Sequence, residues 1–433
     1  MSWRQYRLGD ILQKKRNVVR IEPENEYKLV TIRLHHKGIT LRKIAKGSEI
    51  KSTMSVIRAG DFLLSGIDAR NGAFGIVPSE LDGAIITNDF WCLKPNEDVI
   101  DREYLLLLTE TPEFDHICRI SSEGVTQRIR LQKDKFFAYS VIIPPITEQK
   151  EIVRRIQEIK NQNNKLSVEL NKQLDLVEKL RQAFLREAMQ GKLVPQDPND
   201  EPASELLKRI KAEKARLIKE KKLKPGKELP PIKPEEIPFP IPDNWAWCRL
   251  GQIGITNTGS TPSTLRKEFF GNYIPFIKPA DITLQGIRYN NEGLSSLGIS
   301  EGVLIEKNSI LMVCIGGSIG KSFYNSIDVS CNQQINTISM LTEMSCVIIQ
   351  HWLQSDYFQK ELWRRASGGT TPIVNRTKWE RVLIPIPPLL EQHRILCKLE
   401  VAMRLFDDLK IYIEQELSLC CRLVNQILGE SLF

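Results

Sequence analysis

A chain of 433 residues with 41% apolar side chains is too long for one compact domain and apolar enough for two to four domains with cores of their own. Nine cysteines without a single C-x-x-C spacing argue against a zinc site, and no apolar run approaches the roughly 18 residues a membrane helix needs. The net charge of +8 suggests a polyanionic partner, but residues 204–227 alone hold ten Lys/Arg against three Glu, which leaves the rest of the chain near +1. A protein that coats nucleic acid indiscriminately would spread that charge over its globular parts. The cysteines sit in apolar stretches such as "FWCLKP" and "LMVCIGG" and read as buried free thiols. With the polar start "MSWRQYRLGD", which has no signal-peptide character, they predict a cytoplasmic protein with no membrane partner.

The first segment, residues 1–145, opens on "WRQYRLGDI" and carries short β-rich runs, "DFLLSGI" and "AIITNDFWCLK", and then the helical "REYLLLLTETPEFDHIC". It closes on "IPPITEQKEIV" at Ile143. A long helix is predicted over 146–191, with Thr147 as its cap, Glu148 favourable to the helix dipole and Gly191 at its end. Its apolar residues recur at 152, 156, 159, 166, 170, 174, 177, 180 and 184, a stripe narrow enough for a coiled-coil seam. Residues 192–242 form a Pro-rich linker whose basic middle reads as a short exposed helix. Such a run is usually solvated surface, and its functional alternative is a basic arm near phosphates or an acidic partner.

From residue 243 the plan repeats. "WAWCRLGQI" at Trp245 answers "WRQYRLGDI" at an offset of 242, "SILMVCIGGSIGKSFY" answers "DFLLSGIDARNGAFGIV", and "CNQQI" answers "TNDFW". "ASGGTTPIVN" answers "SSEGVTQRIR", and "IPPLLEQHRIL" answers "IPPITEQKEIV". Preserved order at nearly constant offset means tandem duplication. The second globular part spans 243–388, and a second long helix is predicted over 389–433, with apolar positions 395, 399, 402, 406, 409, 413, 417, 420, 424 and 427 and an end at Gly429. The fold class is therefore α+β: two duplicated domains, each followed by a long helix.

No catalytic constellation emerges. "CIGGSIGKS" would be a phosphate-binding loop only if Ile315 were Gly, so it reads as a Gly-rich turn between strands. The histidines at 35, 36, 116, 351 and 393 have no metal-ligand spacing, no G-x-S-x-G occurs, and the "NPPY"-like tetrapeptide of amino-methyltransferases is missing. The residues point to binding.

Taken together, "WAWCRLGQIGITNTGSTPSTLRKEFFGNYIPFIKPADI", "GGTTPIVNRTKWERVLIPIPPLLEQHRIL" and the linker "QGKLVPQDPNDEPASELLKRIKAEKARLIKE" resemble the specificity subunit of type I restriction–modification systems, over the whole chain and in the right order. Copy one lacks the turn that "GSTP" supplies in copy two. The resemblance implies two target-recognition domains that each read half of a bipartite, asymmetric site on double-stranded DNA. It implies that the two helices pair as an antiparallel coiled coil, set the spacer and dock methyltransferase subunits, with motor-nuclease subunits joining through the complex. It also implies no cofactor in this chain: the methyl donor, ATP and Mg belong to the partners.

Base edges are read by Arg on guanine, Asn or Gln on adenine, and Ser/Thr or methyl contacts on thymine. Polar loop residues beside glycines are the candidates: Arg70, Asn71, Thr126, Gln127, Arg128 and Arg130 in copy one. In copy two they are Ser260, Thr261, Lys278, Ser318, Lys321, Thr370, Thr371, Asn375 and Arg376. Lys133, Lys135 and Lys378 are candidate phosphate contacts, which position without specifying. Two other classes stay open at this stage: a helical scaffold without sequence-dependent DNA binding, and a nuclease of unrecognised type.

Overall fold

The computed structural model describes residues 3–124, 129–226, 228–283 and 285–432, the side chains of 425 and 428–432 aside. The chain forms two compact units, Met1–Lys172 with Ile413–Phe433, and Gln173–Tyr412. Each holds the globular part of one copy of the duplicated plan, and the two share a four-stranded sheet of the same strand order.

In the first unit an antiparallel sheet runs Leu12–Lys15, Phe90–Pro95, Phe62–Ser65, Phe74–Ile76. In the second it runs Gly254–Thr258, Ile335–Met340, Ser309–Val313, Ser322–Tyr324. The runs Phe62–Leu64 and Ile310–Val313 are apolar without a break because both faces are covered, and the period of two divides them between two cores. Phe62 and Leu64 join the cluster of the helices, while Leu63 joins Val30, Ile32 and Ile39 on the other side. Likewise Ile310 and Met312 face one core, Leu311 and Val313 the other.

The helical stretch of each copy breaks into two helices at a capping residue. Thr111 caps Pro112–Ile120 after Arg102–Thr109, and Ser355 caps Asp356–Arg364 after Cys346–Gln354. The copies differ in what precedes the central strand. Copy one inserts a long hairpin, Glu26–Ile32 with Ile39–Lys46, in a five-stranded sheet, whereas copy two has only two-residue pairings there. Nothing in the periodicity of the sequence announces that hairpin.

The repeated Pro-Pro-x-x-Glu-Gln blocks are joints. In each copy the first strand pairs antiparallel with the last, Arg4–Arg7 with Ser140–Ile143 and Ala246–Arg249 with Leu383–Ile386, so the opening Trp meets the block. Trp3 Nε1 donates to Glu148 Oε1 at 3.1 Å, and Trp245 Nε1 to Glu391 Oε2 at 2.9 Å. The following glutamine is fully buried and folds back: Gln149 Nε2 donates to the carbonyls of Pro144 and Val99, Gln392 Nε2 to that of Pro387. Proline lacks an N–H, so each Pro-Pro pair brings two carbonyls and no donor to its joint, and the glutamine amide supplies one.

The long helices are Ile146–Met189 and Leu389–Leu432. Thr147 does not cap the first: it lies inside the opening turn, where the N–H groups of Glu148 and Gln149 already donate to the Pro145 carbonyl. Gly191 (φ 69°) follows the end of that helix in the left-handed conformation, with the Lys192 N–H closing onto the Glu187 carbonyl. The second helix continues through residue 429 to Leu432, so Gly429 does not end it. The two helices pair antiparallel within each unit. In the second unit Arg181 meets Asp407 at 2.6 Å and Phe184 meets Phe406 at 6.0 Å between ring centroids. In the first, Val424 packs on the cluster holding Val153 and Ile156. The expected seam is less complete than its spacing predicts, since Leu166, Leu180 and Leu409 are exposed.

The linker is part of the second unit rather than a free arm. Its helix, Ala203–Lys219, was expected to be exposed, but Ala203, Leu206 and Ile210 are buried in the core with Trp245 and Leu250. Lys214 reaches the Gly251 carbonyl at 2.7 Å, and burial pushes its ammonium down to about 8. Arg249 holds the rest of the linker. Buried to 2% exposure, its guanidinium donates to the carbonyls of Pro230, Pro231 and Arg381 and pairs with Glu236 at 2.9 Å. Its counterpart Arg7 is exposed. Arg249→Ala therefore removes the bonds that hold the linker's Pro-rich end and leaves a cavity where its side chain was, and is expected to destabilise the chain by about 1–3 kcal/mol, against roughly 0.5 kcal/mol or less for Arg7→Ala, as read from urea unfolding of each variant.

Candidate nucleic-acid interface

In the first unit four segments meet at one end of the antiparallel sheet: the exit of Leu12–Lys15, the turn after Phe62–Ser65, the entry to Phe90–Pro95, and the pair Ser122–Glu123 with Arg130–Leu131. Backbone bonds tie them together, Gly66 N–H to Asp89 O and Leu131 N–H to Gly66 O, both 2.8 Å. Arg70 and Asn71 lie on a single 3-10 turn, Ala69–Asn71, closed by Gly72 in the left-handed region (φ 71°). Asn71 is exposed and Arg70 half-buried. Arg130 stands at the same end, paired with Asp89 at 2.9 Å. Lys133 opens the short helix Lys133–Ala138 and is exposed, while Lys135 is engaged with Glu123. Thr126, Gln127 and Arg128 lie outside the described residues.

The hairpin absent from the sequence reading joins this surface. The N–H groups of His35 and His36, two consecutive left-handed residues (φ 58° and 57°), donate to the carbonyls of Asn71 and Gly72 at 2.9 and 3.0 Å. His36 Nε2 lies 3.1 Å from Asp115 and its ring meets Phe74 edge-on. A histidine pair at a strand end is a turn signal in the sequence, but its docking site is about 35 residues away in the chain and leaves no local trace.

The same end of the second unit collects the second set. Ser260 N–H donates to Cys331 O at 3.0 Å, and Thr261 Oγ1 to Gln333 Oε1 at 2.5 Å. Lys278 follows Phe276–Ile277, which pairs parallel with Ser330–Cys331, and is exposed. Ser318 and Lys321 sit on the Gly-rich turn. Three of its N–H groups are spent internally, Gly316 on Pro372 O, Gly320 on Val313 O and Lys321 on Ser318 O. Thr370 and Thr371 are exposed in the turn that the Ser367–Ile373 bridge closes. Asn375 Oδ1 accepts from the Lys378 N–H at 2.9 Å and caps the helix Arg376–Glu380. Arg376 pairs with Glu380 at 3.4 Å, and Lys378 is half-buried on the same helix.

The structure thus brings the described candidates of each copy to one sheet end, but several have internal partners. Among the described residues no group of His, Cys, Asp and Glu is placed to hold a metal ion, and no helix is long and apolar enough to cross a membrane. Six of the nine cysteines are buried, with burial pushing the Cys92, Cys314 and Cys331 thiols up to about 12, while Cys397 and Cys421 are exposed.

Residues 2–176 and 242–418 both match the type I restriction modification DNA specificity domain, and together they cover most of the chain. The chain belongs to this family. It is similar to the specificity subunit of the EcoAI type I restriction enzyme of Escherichia coli, 27% identical over 430 residues, covering 86% of this chain and 72% of that one. It is equally similar to the HindI specificity subunit of Haemophilus influenzae, 27% identical over 431 residues and covering 89% and 90%. Its fold is shared with the HsdS subunit of Thermoanaerobacter tengcongensis at 19% identity, with a TM-score of 0.59 and coverage of 99% and 96%. A chain from a structure concerned with assembly and conformational transition of the type I R-M system shares it too, at 19% identity, a TM-score of 0.64 and coverage of 99% and 97%. As a type I specificity subunit the chain has a DNA-recognition role and is non-catalytic. Since Asn375 is spent on a helix cap, Asn375→Ala is expected to cost about 1 kcal/mol of stability by thermal unfolding without DNA present.

Proposed function

We propose that each domain of this specificity subunit reads one half of a bipartite, asymmetric DNA site and that the long helices set the unread spacer between them. One observation carries the reading: two copies of one sheet present loops of different sequence and shape at the same end. Repetition of the frame gives a pseudo-twofold reader, and divergence of the loops makes its two half-sites unlike. Bases would be met by Arg70, Asn71, Thr126, Gln127, Arg128 and Arg130 in one domain. In the other, Ser260, Thr261, Ser318, Thr370 and Thr371 would do so, with Lys278, Lys321 and Lys378 on phosphates. Arg376 serves only if DNA displaces Glu380.

Helices of 44 residues are about 66 Å long, against roughly 34 Å between major grooves on one face of B-DNA. They are long enough to hold two readers one turn apart and to dock methyltransferase subunits as well. Leu176 and Leu180 on the first helix and Val401 and Leu405 on the second are 54–63% exposed, more apolar surface than a solvated helix pair needs. Motor-nuclease subunits join through that complex, and the methyl donor, ATP and Mg act in the partners, in the cytoplasm where their DNA is.

The test is single-molecule sequencing of adenine methylation in a host without other adenine methyltransferases, expressing this chain with its neighbouring methyltransferase gene. A split motif of fixed gap, lost when the chain is omitted, is expected, and methylation that persists unchanged without it would leave only a scaffold. Four residues inserted into each long helix add about 6 Å and are expected to lengthen the gap with both half-sites unchanged.

A further inference from the structure

The two domains differ in how the charge at one matched position is balanced. Lys133 and Arg376 are counterparts, each the first residue of the short helix that precedes the last strand. In the second domain Arg376 is neutralised by Glu380 and also donates to the Thr256 carbonyl at 3.4 Å. In the first domain the counterpart of Glu380 is Phe137, stacked on Trp91 with centroids 6.1 Å apart. The strand beneath carries lysine and arginine where the second has threonines: Lys14 and Arg16 for Thr256 and Thr258.

The result is a cluster of cations that, among the described residues, forms no ion pair with a carboxylate. Lys14 Nζ rests 4.4 Å over the Trp91 ring, and Lys133 and Arg16 are the charges that act on it. Arg16 reaches only the Asn88 amide oxygen, at 3.4 Å. Partial burial, then Lys133 and Arg16, pull the Lys14 ammonium below its ordinary range. The nearby Asp89 is taken by Arg130, and Asp61 lies beside Lys15 at 3.9 Å. All three cations are exposed, and like charges gathered on a cation–π floor repel one another until an anion comes between them.

We infer that Lys14, Arg16 and Lys133 form a phosphate anchor for the DNA backbone in the first domain, which the second domain lacks. This rests on the DNA-recognition reading above. Its consequence is an asymmetric reader: the first domain holds its half-site through sequence-independent, salt-sensitive contacts, and the second relies more on its loops. The cluster flanks the loop of Arg130 and Asn88–Asp89, so an anchored phosphate would place the neighbouring base edges before the candidate readers.

The experiment uses the full chain in complex with its methyltransferase subunits and a duplex carrying the motif obtained by methylation sequencing. Binding is measured by anisotropy between 50 and 200 mM salt for the wild type, the triple variant Lys14→Gln/Arg16→Gln/Lys133→Gln, the charge-retaining Lys14→Arg/Arg16→Lys/Lys133→Arg, and Arg376→Gln. Each phosphate contact adds about 0.9 to the slope of log affinity against log salt. The triple neutral variant is expected to lose about 2.7 of slope, so that its affinity declines over this range by roughly 40-fold less than the wild type's. Its methylation motif stays the same, the charge-retaining variant restores the slope, and Arg376→Gln changes it by less than one contact. An unchanged slope in the neutral triple, with motif-specific methylation intact, overturns the anchor alone. So does an Arg376→Gln loss equal to that of the triple. A wild-type complex without sequence-dependent binding overturns the DNA reading and the anchor with it.

Discussion

A glutamine with no water to turn to governs this molecule. Gln149 and Gln392 are buried at the point where a folded domain becomes a long helix, and each donates to the carbonyl of the first proline of its Pro-Pro pair, while the amide oxygen of Gln392, unlike that of Gln149, has no partner among the described residues. Gln149 satisfies both ends of its amide, accepting from the Asp101 N–H at 2.7 Å and donating to two carbonyls. A buried amide so engaged has one rotamer and one environment, because any other leaves polar groups unpaired in the interior. The helix therefore leaves its domain in one direction. The Trp–Glu bond beside it closes the domain's first strand onto the same point, so strand, block and helix start are tied together in each copy.

The joint is built twice but not identically. Trp3 is exposed to 36% and its bond to Glu148 lies at the surface, whereas Trp245 is buried and Glu391 with it. Burial holds the Glu391 carboxyl above its usual range, against the opposing effects of its Trp245 and Gln196 donors. The linker accounts for the difference. It passes only over the second copy, where Gln196 and Asp200 meet Glu391 and Arg394, and Arg249 clamps its Pro-rich end. Duplication supplied two equal joints, and the chain between them buried one.

Charge follows the same logic. Half of the linker's basic run, the most conspicuous electrostatic feature of the sequence, is engaged within the fold. Lys208, Arg209, Arg216 and Lys222 face carboxylates and Lys214 points inward. Exposed pairs at helical spacing contribute little stability, and Glu205, Glu213 and Glu220 are already counted in the run's net charge, so it stays strongly positive. A second group of cations lies on the first domain, where Lys14 rests over Trp91 and Lys133, distant in the chain, acts on it together with Arg16.

The duplication, the α+β class and the long helices were legible in the chain itself, because each is written in local or repeated patterns: apolar period, turn residues, and peptides that recur at one offset. The DNA-reading role came from the resemblance of whole stretches to a family, not from those patterns. Loops of polar residues beside glycines were legible as candidates because they too are local patterns. What the tertiary structure alone decided is which of those side chains are already spent. Asn375 caps a helix, Arg376 and Arg130 face carboxylates, and the Gly-rich turn uses three of its own N–H groups. It also decided where long-range neighbours fall: the hairpin tip on Asn71 and Gly72, the linker helix in the second core, and Lys14 beside Lys133. Periodicity reports how a segment meets its own neighbours within a few residues. Pairing and charge balance depend on groups that folding brings together from a hundred residues apart, and no local pattern encodes them.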